Sequence, residues 1–207
     1  GEERPLSDAK TSVFDGRLLG EWIPFKESNG DEQDTYFFGR NHEQRTTLDL
    51  IWIAKRNDEV NSVPFQAYVT VAKNRYISFV YRGKEENSPE SRGAIAYKYE
   101  MPDNGSLWLW PIDRGFIRSA IERGTLHGIV ETGADYPQSL VVDEHGKAIR
   151  SPVVALRPWE RPHGTNIILT DPPSSILDFL ERNDARCFSV PEVYTRVPRL
   201  PVLRREH

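Results

Sequence analysis

The chain has one cysteine and one methionine in 207 residues. An intrachain disulfide is therefore excluded, and so is a zinc site built on cysteine thiolates. Cys187 lies in "ARCFSV", a mixed setting that reads as packing rather than as a reactive thiol. Long apolar runs are also missing, and none approaches the roughly 20 residues that a membrane-crossing helix needs. Charge of one sign is missing too. The formal net charge is only -4 and no basic stripe is visible, which argues against DNA or RNA as the main partner. There is no Gly-x-Ser-x-Gly elbow and no parallel βαβ framework to carry one.

Metal and cofactor chemistry has little to stand on. His42, His127, His145, His163 and His207 show neither His-x-His nor His-x-x-x-His spacing, so no metal site and no cofactor is expected. The adjacent acids Glu85-Glu86 and Asp143-Glu144 fall in turn-like segments. A glycosidase holds two carboxylates across a cleft, whereas neighbouring turn acids point apart into water.

What the chain does have is aromatic, strand-forming sequence. Hydrophobic residues make up 38% and aromatic residues 11% of it. A single domain of this size removes roughly 70% of its unfolded surface from water and can build a core without staples. From Arg17 to about Leu169, short apolar runs alternate with turn clusters: "RLLGEWIPF", "TYFFGR", "TTLDLIWIAKR", "FQAYVTVA", "YISFVYR", "AIAYKYEMP" and "SLWLWPI". Leu48, Leu50 and Trp52 share one strand face, and Ile51 and Ile53 share the other, so that strand is expected to be covered on both sides. "KN" and "DNG" are hairpin signals. Successive hairpins make an up-and-down antiparallel sheet, and closing it into a barrel removes its edges.

Two short helices interrupt the strands. Asp113 is the expected cap of "RGFIRSAIERG", with Gly124 as the stop. "DPPSSILDFLERND" is the second, with Ser174 or Ser175 as the cap and Asn183 at its end. Each spans about ten residues and must dock its apolar face to persist. A further hairpin is expected on "SLVVDEHGKAIRSPVVAL", with its turn at Glu144 to Gly146, followed by the strand "TNIILTD". The division expected is a polar tether over 1–14, the barrel domain over 15–197 and an extended tail over 198–207.

Trp22, Phe37, Trp52, Phe79, Tyr97, Trp108 and Trp110 all lie in or beside candidate strands. They either fill the core or line a cavity, because a barrel of about eight strands is wide enough for one or the other. The residues expected to touch a ligand are Trp52, Phe79, Tyr97, Trp108 and Trp110.

The opening stretch "DGRLLGEWIPF", the run of hairpins, and a late helix followed by "VYTRV" together resemble the lipocalin or calycin plan. In that family a first-strand tryptophan closes the barrel floor and a last-strand arginine packs on it. The resemblance implies that Gly20, Trp22 and Arg196 form the floor here. The stretches "RLLGEW", "SLWLWPID…FIRSAIERGTLHG" and "SSILDFLERNDARCF…YTRV" are similar to an uncharacterised group of bacterial lipocalin-like proteins, often predicted lipoproteins. The expected fold is thus all-β: a single antiparallel up-and-down β-barrel, lipocalin-like, with two short α-helices. The expected role is a non-enzymatic cell-envelope protein, exported and attached through an upstream lipid anchor, that binds a small apolar or amphipathic molecule. Two alternatives stand beside it. One is an interaction module with a filled barrel; the other is an enzyme with a site at the barrel mouth, for which His42, His127 and His163 are the candidates.

Overall fold

The computed structural model describes residues 5–25, 32–56, 59–82, 94–103, 105–131, 138–142, 148–152 and 166–198. Seven strands follow one another as hairpin partners: β1 (Gly20–Pro24), β2 (Glu32–Arg40), β3 (Leu48–Arg56), β4 (Glu59–Val71), β5 (Arg75–Tyr81), β6 (Ala94–Glu100) and β7 (Ser106–Pro111). The chain then leaves the sheet through α1 (Arg114–Glu122), β8 (Gly128–Glu131), β9 (Gln138–Val142), β10 (Ala148–Pro152), β11 (Asn166–Leu169) and α2 (Pro173–Arg182). It returns as β12 (Glu192–Arg196), which inserts between β7 and β1. The result is a closed barrel of order β1-β12-β7-β6-β5-β4-β3-β2, every neighbour antiparallel. An all-antiparallel ring closes only with an even number of strands. The meander alone has seven, so β12 completes the circuit.

Period-2 alternation sets what goes inside. Trp22, Tyr36, Phe38, Leu48, Leu50, Val63, Phe65, Ala67, Val69, Ile77, Phe79, Tyr99, Leu107, Leu109 and Tyr194 form one buried cluster, the barrel interior. Each buried ring contributes roughly 4–6 kcal/mol of gross transfer free energy, most of it offset by ordering entropy. The opposite parity faces out, and two expectations change there. Ile51 is 47% exposed, so the outer face of β3 is not covered at that point. Trp108 and Trp110 alternate with the interior Leu107 and Leu109 and stack on each other outside the barrel, 5.7 Å between centroids.

A second buried cluster lies on the outer face of β5 and β6. Tyr76 and Ala96 meet Ile117 and Ala120 of α1, Ile176, Phe179 and Leu180 of α2, and Leu6, Leu126, Leu169 and Cys187. Asp113 caps α1 by accepting from the Phe116 amide at 2.8 Å, and Gly124 follows the helix with φ +68°. The start of α2 differs from expectation. Its cap residue is Pro172, with no side-chain cap bond, and Pro173 opens the helix. Proline suits that position because its ring pre-sets φ and its missing N–H has no helical partner to lose. Asn183 ends the helix as expected. Cys187 is buried, and its thiol is pushed up to about 12, mainly by desolvation and then by Asp184.

β9 and β10 pair as the expected hairpin, its turn lying outside the described residues, and β11 pairs with β8. Part of the segment before β1 packs on the barrel. Leu6, Ser7 and Ser12 are buried, Val13 N–H donates to the Val69 carbonyl at 2.9 Å, and Thr46 Oγ1 donates to the Ala9 carbonyl at 2.5 Å. No described helix is long and apolar enough to cross a membrane.

Candidate functional site

The two ends of the barrel are chemically different. At one end a 3-10 turn (Gly16–Leu18) runs beneath the strands and leads into β1 through Gly20. Gly20 has φ +125°, and nothing lies within 4 Å of where a Cβ would sit. Backbone conformation, not lack of space, is what requires glycine there. Trp22 is fully buried and donates its indole N–H to the Leu18 carbonyl at 2.7 Å. The Arg196 guanidinium carbon stands 4.5 Å from the Trp22 ring centroid, and the two residues are cross-strand partners. Arg196 Nη1 donates to the Leu19 carbonyl at 3.2 Å and Nη2 donates to the Arg17 carbonyl.

Below them Asp15 gathers the floor. It accepts from Arg17 Nε at 2.9 Å, Arg17 Nη2 at 2.7 Å and the Tyr99 hydroxyl at 2.9 Å, with Arg75 Nη1 at 3.6 Å. Burial alone would raise the Asp15 carboxyl. The hydrogen bonds from Arg17 and Tyr99 outweigh it and hold the group below its ordinary value. Burial raises the Tyr99 phenol, and the Asp15 carboxylate beside it adds to the rise.

Toward the other end the interior becomes an aromatic stack. Tyr36 lies 5.0 Å from Tyr194, 5.7 Å from Phe79 and 6.4 Å from Trp52, centroid to centroid. Phe79 lies 5.2 Å from Tyr97, and Phe65 bridges Trp52 at 6.2 Å and Tyr81 at 6.1 Å. Above this stack two carboxylates share the inward parity: Asp34, two residues before Tyr36, and Glu192, two residues before Tyr194. The Tyr194 hydroxyl donates to Glu192 Oε2 at 3.0 Å.

The electrostatics of this end follow from burial. Desolvation raises Tyr36, Tyr97 and Tyr194, and negative charge at Glu192 adds to the rise in all three. Glu192 is itself raised, first by desolvation and then by Asp34, against the hydrogen bond from Tyr194. Among the described residues, the Trp52 indole Nε1 is buried with no hydrogen-bond acceptor. A buried donor left unmade costs about 1–3 kcal/mol. Aromatic walls, two carboxylates, phenols and an unused N–H thus converge on one region.

The residues expected at a ligand divide. Trp52, Phe79 and Tyr97 belong to this interior stack, whereas Trp108 and Trp110 lie on the outer face, where Lys98 Nζ sits 5.4 Å from the Trp110 centroid. The histidine candidates do not reach it. His42 lies in the β2–β3 connection at the floor end and is exposed, and His163 lies outside the described residues. His127 is exposed and held by Asp171, with Nδ1 to Oδ1 at 2.8 Å. Among the described residues no His, Cys, Asp and Glu group is arranged to hold a metal ion. Asp34 and Glu192 carried no recognisable motif. Each is a single acid, and only its parity with a strand's inward aromatics marks it.

Comparison with known proteins returned no matching family model, no matching curated protein and no matching solved structure. The closed, all-antiparallel eight-stranded barrel is consistent with a lipocalin-like fold.

Proposed function

We propose that this protein is a non-enzymatic, lipocalin-like binding barrel for a small amphipathic molecule with a basic end. The apolar body rests on Tyr36, Trp52, Phe79 and Tyr97, and the basic end faces Glu192 and Asp34. The observation that carries this reading is the convergence of an aromatic stack, two carboxylates and an unpaired indole N–H at one end of the barrel. Affinity comes from apolar burial at about 25 cal/mol per Å², and from the attraction of a cation to ring faces. A hydrogen-bond acceptor on the ligand also satisfies Trp52. We further propose a cell-envelope location and membership of the bacterial lipocalin-like group, on the sequence resemblance alone.

The test pairs hydrophobic amines with neutral alcohols of the same shape, followed by tryptophan fluorescence and calorimetry. Amines bind more tightly than their alcohol partners, and Glu192→Gln lowers amine affinity about tenfold, the usual scale for losing one charge-assisted contact. Equal binding of amine and alcohol removes the acidic end from the reading. If no member of the panel binds, the interaction-module reading takes its place. That second reading draws support from the tightly packed lower interior and from exposed apolar residues such as Ile51 and Val60 on the outer sheet.

A further inference from the structure

A depression of about 350 Å³ opens at the floor end, away from the aromatic stack, and is lined by Phe14, Arg40, Asn41, His42 and Arg45. Its frame is fixed from several sides. Buried Asn41 accepts from the Glu43 and Gln44 amides at 3.0 and 2.7 Å, and its side-chain amide donates to Asp49 at 2.8 Å. Gln66 Nε2 reaches across from β4 to Gln44 Oε1 at 2.5 Å and Thr47 Oγ1 at 2.9 Å. Ser12 Oγ donates to the Thr46 carbonyl at 3.0 Å, tying the loop to the segment before β1. Arg40 is held with its guanidinium carbon 4.8 Å from the Phe14 ring centroid. The loop that presents His42 and Arg45 is therefore preorganised.

The lining contains no carboxylate. The two nearby acids point to another cation: Asp49 Oδ1 lies 3.0 Å from Arg82 Nη1, and Glu43 Oε2 lies 3.9 Å from Arg82 Nη2. Several other arginines have anionic partners, as Arg17 and Arg75 do with Asp15, Arg82 with Asp49, and Arg118 with Glu122. Arg40 and Arg45 have none among the described residues, in a chain whose net charge is -4. Two guanidinium forks and an imidazole around one hollow match the oxygens of a phosphate group, which accepts several charge-assisted bonds at once. The Phe14 face adds an apolar wall for whatever carries that group.

We propose that this depression binds a phosphate group, either of a small phosphomonoester or of an anionic lipid headgroup. Arg40 and Arg45 clamp the oxygens, and His42 donates a further hydrogen bond. The site is independent of the barrel interior, so amine binding by the upper end neither supports nor opposes it.

The test uses phosphorus NMR and calorimetry on the whole chain, with inorganic phosphate, phenyl phosphate, and vesicles of phosphatidylglycerol or phosphatidylcholine as probes. Saturable 1:1 binding of phosphate or phenyl phosphate, weakened about tenfold by Arg45→Gln and further by adding His42→Gln, supports a site for the free ester. Binding to phosphatidylglycerol vesicles alone, lost in the same variants and absent with phosphatidylcholine, supports the headgroup source. Arg45 and His42 are exposed, so both variants keep the fold, which circular dichroism checks. Arg118→Gln serves as the comparison, since Arg118 is an exposed arginine paired with Glu122 on α1 and touches neither the lining nor the acids beside it. No binding of any probe, or an equal loss in Arg118→Gln and Arg45→Gln, overturns the proposal.

Discussion

Asp15 shows how one side chain can hold a barrel floor and set its pH response. Its carboxylate meets a two-point contact from Arg17, the Tyr99 hydroxyl and Arg75, all beneath Trp22. Removing the charge leaves these donors facing a poorer acceptor, so Asp15→Asn costs about 2–4 kcal/mol at pH 7. The folded-state carboxyl lies below its ordinary value because Arg17 and Tyr99 overcome the desolvation that would raise it. A depressed carboxyl stabilises the fold above its unfolded value of about 3.9, and that stability is lost as the pH falls through the folded value. Urea unfolding at pH 7 and pH 3 checks this: the gap between wild type and variant narrows at pH 3. A gap of the same size at both pH values would show that the Asp15 charge does not matter. Glu192 has the opposite sign. Its raised carboxyl favours the protonated fold, a contribution fully present below about 4.3 and lost as the pH rises through the folded value.

At the scale of elements, α2 is anchored at its C-terminal end. Glu181 accepts from the Tyr76 hydroxyl at 3.0 Å, the Asn74 amide at 3.0 Å and the Asn74 side chain at 3.3 Å, so the helix is fastened to the β4–β5 turn. Lys98 and Asp184 add an ion pair at 2.8 Å beside it. Glu181→Ala strands the Tyr76 hydroxyl and the turn amide and costs about 1–3 kcal/mol. Native-state hydrogen exchange should rise in α2 and residues 72–76 while β2 and β3 stay protected. A uniform rise across the barrel would mean that α2 does not open on its own.

The same elements show what was legible in the residues. Hairpins and helices were, because period 2 and period 3.6 are written in the apolar pattern. Alternation names two faces without saying which is inside, and "SLWLWPI" has apolar residues on both. The smaller leucines won the interior because the crowded core around Tyr99 and Tyr194 left the indoles outside. The cap of α2 departs from the sequence expectation for a local reason: serine is a favoured cap type, but Pro173 opens the helix ahead of Ser174. Asp34 and Glu192 are not legible as a pair because they come from distant parts of the chain and are brought near each other only when β12 closes the ring.

That closure is the property of the whole molecule. β1 pairs with β2 next to it in sequence and with β12 from the far end of the chain. The long excursion through α1, β8 to β11 and α2 separates β12 from β1 in sequence, and such non-local pairing carries a large loop-closure cost. Arg196 sits on that seam, over Trp22 and bonded to the carbonyls of Leu19 and Arg17. Arg196→Lys keeps the charge but loses the planar fork that serves both carbonyls and the ring, and costs about 1–3 kcal/mol. If the seam closes after the rate-limiting step, almost all of that loss falls on unfolding. Stopped-flow folding in urea should then show an unfolding limb about five- to 160-fold faster, with the folding limb unmoved. A slower folding limb with unchanged unfolding would place β12 in the nucleus and reverse the order, so that the ring would close first and the meander would consolidate against it.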